Sequence, residues 1–127
     1  MADSIYALGT PVGRSAVAVI RVSGGGFSKG FIKFLNIPVE KKGSWLRSLD
    51  LGGFSDQCLV LNFPGSNSYT GEHVVEIHCH GNPLIVSQLL LVLDELGLRG
   101  AEKGEFTRRA FINNKMSLSD AESVMTG

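Results

Sequence analysis

Glu76, His78 and His80 are the residues whose type and spacing first invite chemistry, in the run Val74-Val75-Glu76-Ile77-His78-Cys79-His80-Gly81. The run reads as a strand, and side chains on a strand alternate between faces. Val74, Glu76, His78 and His80 therefore share one side, and Val75, Ile77 and Cys79 the other. A carboxylate and two imidazoles on one face could form a three-ligand metal site, as in a small metal-dependent hydrolase. Solvated or hydrogen-bonded histidines are the plainer alternative. Cys79 points away from both histidines, and only His73, at the far end of the strand, shares its face as a base; the thiol reads as a core residue beside Ile77.

A second group is cationic. Arg108, Arg109 and Lys115 lie close in sequence beside Phe106 and Phe111. Such a patch could hold a carboxylate, a phosphate or RNA, or could be a solvated helix face. The glycines in Ser23-Gly24-Gly25-Gly26, leading into a helix, have the outline of a phosphate-binding turn, but the glycine fingerprint of a dinucleotide site is missing and no Gly-x-x-x-x-Gly-Lys-Ser/Thr occurs in the chain. Ordinary turn chemistry is sufficient.

These groups need elements to position them. Ile5–Leu8 is a short apolar run ended by the turn cluster Gly9–Arg14. Ala16–Val22 is β-branched and strand-like, with Ser23–Gly26 ending it. Phe27, Phe31 and Phe34, with Ile32 and Leu35, repeat at helical spacing up to Asn36 and Pro38. Trp45–Leu51 and Gln57–Phe63 predict a hairpin across Gly52-Gly53, and Pro64–Ser68 a turn before the Glu76 strand. Pro83–Leu96 is the best helix, with Asn82 as cap, Pro83 at the first position and Gly97 as stop. Its polar residues Ser87, Gln88, Asp94 and Glu95 fall in an arc of roughly 120°, with Leu84 and Leu91 as apolar exceptions inside it. Burying most of its other apolar side chains would contribute about 1.5–3 kcal/mol each before entropy. Leu98–Glu102 suggests an edge strand, Gly104–Phe111 a short helix, and Asn113–Lys115 a turn. A capping pattern at Ser117 and Asp120 opens a further helix at Leu118.

The expected fold is α+β: a mainly antiparallel sheet with helices packed on it, in the order ββαβββα. Residues 1–117 are expected to form one domain, with 118–127 the start of a truncated helical domain. Lys plus Arg and Asp plus Glu both number 12, so bulk charge gives no push toward nucleic acid or membrane. With two cysteines, no secretory signal and no membrane-spanning run, the expected setting is the cytoplasm.

Four stretches together are more specific: Thr10–Gly24, Asn67–Glu72, Val74–Gly81 and Lys103–Lys115. In order and spacing they closely resemble the N-terminal domain of the MnmE (TrmE) family of tRNA modification GTPases, over nearly the whole chain. The resemblance implies a domain related in fold to the folate-binding domain of the glycine-cleavage T protein, and one that itself binds 5-formyltetrahydrofolate and forms a homodimer. It also implies a longer protein that modifies the wobble uridine of tRNA with an MnmG-type flavoprotein, its G domain holding GTP, Mg and K. Carried over by motif, the folate contacts are Arg21, Glu76 and Lys115, with no catalytic residue and no metal ligand in this domain. The types are chemically apt, since a carboxylate accepts from a pteridine's amino and ring N–H groups and cations suit carbonyl and carboxylate acceptors.

Departures from the pattern are Val12 for a second proline, His73 for aspartate, Asn82 for glycine and a slightly short segment near 39–56. None falls on the three proposed contacts. No P-loop is present, and the family's C-terminal cysteine is missing, so this chain alone is not expected to hydrolyse GTP. A direct tRNA-binding module using Arg108, Arg109 and Lys115 is the remaining alternative.

Overall fold

In the computed structural model, residues 3–9, 16–65, 68 and 70–113 are described. Along the chain come β1 (Ile5–Leu8), β2 (Val17–Gly24), α1 (Lys29–Leu35), β3 (Gly43–Asp50), β4 (Ser55–Phe63), β5 (His73–His80), α2 (Pro83–Glu95), β6 (Arg99–Gly100) and α3 (Glu105–Ile112). The strands form one sheet in the order β3-β4-β5-β2-β1-β6. Every pairing is antiparallel except β1 with β6, which is parallel. The α+β reading holds, with β6 and α3 completing the chain order expected from the sequence.

One face of the sheet carries the main core. Ala18, Ile20 and Val22 of β2, Val75, Ile77 and Cys79 of β5, and Cys58 and Val60 of β4 pack with Phe31 and Leu35 of α1 and Leu89 and Leu93 of α2. The period of two in the strands and of 3.6 in the helices puts these residues on facing surfaces. In α2 only Leu89 and Leu93 are fully buried, because the helix lies on the sheet from one side; Ile85, Val86, Leu90, Val92 and Leu96 pack partly buried around them. Leu84 and Leu91, the apolar exceptions in the polar arc, are 77% and 53% exposed.

The terminators behave as their chemistry dictates. Asn82 accepts from the Leu84 amide at 2.9 Å, and Gly97 ends α2 at φ +93°, a left-handed conformation costly for any residue with a Cβ. Ser28 caps α1 by accepting from the Phe31 amide, and Asn36 closes it in the left-handed region. β2 runs on to Gly24 rather than stopping at Ser23, because the Ser23–Val74 and Gly24–His73 pairs continue the ladder to β5. The expected turn at Thr10–Arg14, Lys115 and the helix from Leu118 lie outside the described residues.

The opposite face is open over most of β3, β4 and β5 and is covered at one end by α3. Polar bonds tether this helix. Arg109 donates to the Asp3 carbonyl at 2.8 Å, to Glu72 Oε1 at 3.0 Å and to Glu105 Oε2 at 3.1 Å. Arg99 of β6 grips both oxygens of Glu105, at 2.9 and 2.6 Å. Asn113 adds a bond to the Thr70 carbonyl at 2.9 Å.

Candidate functional site

Arg21 and Glu76 are direct partners in the β2–β5 ladder, on the open face. Arg21 Nε donates to Glu76 Oε2 at 2.9 Å, and His78 Nε2 lies 3.1 Å from Glu76 Oε1. Burial pushes the Glu76 carboxyl up, but the bonds from Arg21 and His78 outweigh it and hold the group below its ordinary range. The charged form is thus present at neutral pH, as an acceptor with both oxygens oriented.

Two cavities meet at this pair. The larger, about 470 Å³, is bounded by Ala7, Leu8, Gly9 and Thr107. The smaller, about 250 Å³, is bounded by Lys42, Phe63, Ser68 and Val74. Arg21, Glu76 and Phe106 of α3 line both. A Cβ on Gly9 would stand 3.3 Å from an Arg21 guanidinium nitrogen and 3.4 Å from the Val19 carbonyl oxygen, so a side chain there would make the arginine shift by a few tenths of an ångström. Together the cavities have the size and mixed lining of a small-molecule site: apolar walls, an aromatic ring, and one cation and one anion side by side.

The histidines go separate ways. His78 turns to Glu76, while His80 Nδ1 lies 2.7 Å from Asp56 Oδ1. Asp56 is buried, which raises its pKa, but the His80 amide and ring and the Cys58 thiol overcome this and hold it below the usual carboxylate range. No group of three possible ligands converges among the described residues. Cys79 is buried, and desolvation raises its thiol to about 11, so it stays protonated and unreactive at neutral pH. His73, on the core face, meets the buried Asn62 at 2.6 Å, and burial lowers its pKa.

The cationic patch divides as well. Arg109 is not offered to a ligand; it is buried within the Asp3, Glu72 and Glu105 carboxylates, which keep it charged. Arg108 remains exposed, 4.0 Å from Glu105. Lys115 lies outside the described residues.

Sequence reasoning placed Glu76 on the right face and singled out Arg21. It noted Phe106 only as a neighbour of the basic patch, and it missed Lys42, Gly9 and Asp56. Lys42 had a readable signal, since the hairpin register puts it opposite Phe63 at the mouth of the open face.

Residues 4–115 match the family described as GTP-binding protein TrmE N-terminus. The chain belongs to the TrmE N-terminal family. It is 48% identical over 127 residues to the tRNA modification GTPase MnmE of Maricaulis maris, covering 98% of this chain and 29% of that protein. It is also 48% identical to the MnmE of Phenylobacterium zucineum, with 98% and 28% covered. The Coxiella burnetii MnmE is 40% identical over 123 residues, with 96% and 27% covered. The chain therefore spans less than a third of these relatives. Among the described residues, no helix is long and apolar enough to cross a membrane.

Proposed function

We propose that the Arg21–Glu76 site binds a reduced folate, with 5-formyltetrahydrofolate as the reference ligand. The observation that carries this reading is the pairing of a charged carboxylate and a guanidinium, across adjacent strands, between two cavities that Phe106 also lines. A pteridine offers adjacent N–H donors to Glu76 and a carbonyl to Arg21, and its flat ring suits the face of Phe106. Lys115 is the third proposed contact.

The wider setting follows the TrmE family. The domain forms a homodimer and belongs to a cytoplasmic protein that modifies the wobble uridine of tRNA together with an MnmG-type flavoprotein. GTP, Mg and K serve a G domain of that protein. The exposed Leu84 and Leu91 support a self-association surface on α2. Sedimentation should find a dimer that dissociates in Leu84→Glu; a monomer at all concentrations refutes this part. The metal-hydrolase alternative is not favoured, because His80 is directed to Asp56, nor is the tRNA-binding one, because Arg109 is enclosed by carboxylates.

Calorimetric titration with 5-formyltetrahydrofolate tests the reading. Glu76→Ala should weaken binding by roughly 10–100-fold, the worth of a hydrogen bond to a charged group. Glu72→Ala removes an α3 tether instead and should weaken binding less. Equal effects, or no saturable heat from the folded wild-type chain, would sink it.

A further inference from the structure

The two cavities differ in a way that orders a ligand. The larger is bounded by small and apolar groups around Ala7 and Leu8, and by the hydroxyl of Thr107. The smaller has a second cation, Lys42, in its lining. Lys42 immediately precedes β3, where Gly43 pairs with Asn62; that register sets Lys42 opposite Phe63, which in turn pairs with Val74 of β5. Lys42, Phe63 and Val74 thus make one row across the open face, next to the row of Leu61, Glu76 and Arg21. Among the described residues the Lys42 ammonium meets no carboxylate. It is a cation in the wall of a cavity that the ion pair, Phe63 and Val74 also line, separated from the pair by the β4 strand in the sheet order.

We propose that Lys42 anchors the anionic tail of the ligand, while the flat ring occupies the larger cavity beneath Phe106. This rests on the folate reading and extends it to the other end of the molecule. A folate carries a pteridine, an apolar benzoyl spacer and a glutamate with two carboxylates. The spacer would pass Phe63 and Val74, and a tail carboxylate would meet Lys42. Lys42 then selects for the tail, whereas Arg21 and Glu76 select for the ring. A lysine suits this task because its ammonium is a compact charge on a flexible stem, which can follow a mobile tail carboxylate.

The test is titration of the full chain with 5-formyltetrahydrofolate and with the corresponding pteroyl amide, in which a neutral carboxamide stands in place of the glutamate. Wild type should prefer the folate by about three- to tenfold, as a partly exposed charge pair allows. In Lys42→Gln that preference should fall below about twofold, with the affinity for the pteroyl amide unchanged, and Lys42→Arg should restore it. An unchanged preference in Lys42→Gln, or equal weakening of both ligands, overturns the tail assignment. So does a wild type that binds both ligands alike, and in that case the ring site stands. A wild type that binds neither ligand overturns the folate reading, and the tail assignment with it.

Discussion

Along β5, Val75, Ile77 and Cys79 are sealed from solvent, whereas their immediate neighbours Glu76 and His78 keep 21% and 26% of their side chains exposed. The same contrast runs across β2, where Ile20 and Val22 are fully buried and Arg21 between them is not. One face of the sheet is held by apolar packing against α1 and α2. The other is held, where it is covered at all, by charges that tether α3. Packing is insensitive to pH and tolerant of exchange between similar volumes. A buried ion network demands every partner, since one lost charge strands the rest. The proposed ligand site lies on the second kind of face, where the helix that carries Phe106 is tethered by charges.

Breaking the network should show the largest effect. Arg109→Met leaves Asp3, Glu72 and Glu105 short of a cation and should destabilise the fold by about 3–5 kcal/mol, measured by chemical denaturation. A loss below about 1 kcal/mol would mean that α3 is held by packing after all. On the dry face, Ile77→Ala should cost about 2–5 kcal/mol with no direct loss of a ligand contact. If it instead weakened ligand binding in the folded state as much as Glu76→Ala, the division between faces would be wrong.

The acid response sharpens the same contrast. The Arg99 guanidinium, above all, lowers the Glu105 carboxyl from 4.5 to about 2, outweighing burial. A carboxyl lowered in the folded state contributes stability that is complete above pH 4.5 and lost as pH falls toward about 2. Glu105→Gln should flatten the stability profile in that window, while Ile77→Ala shifts it down without changing its slope. The smallest effect belongs to Leu46, which is 62% exposed on the open face; Leu46→Ser should change stability by no more than about 0.5 kcal/mol.

Much of this architecture is legible in the sequence. Alternation in β5, the caps of α2 and the hairpin across Gly52-Gly53 are local patterns with local causes. The face that carries Glu76 followed from parity alone. What escaped was contact between distant segments: His80 with Asp56, and Arg109 with both Asp3 and Glu72. Arg109 looked like part of a binding patch because a sequence displays a charge without its partners.

By itself the sequence determined the elements, their caps and the two-sided character of the strands, because these depend on propensities and on spacing over a few residues. Its longer motifs also pointed to the TrmE family. Only the tertiary structure decided that β2 lies beside β5, so that Arg21 meets Glu76 across 55 positions of chain. It also decided that Phe106 of α3 lines the same two cavities as that pair, and that Lys42 lines the smaller of them. The physical reason is that strand order and helix docking minimise the free energy of the whole chain, and no local pattern encodes which distant charges will be left facing one another.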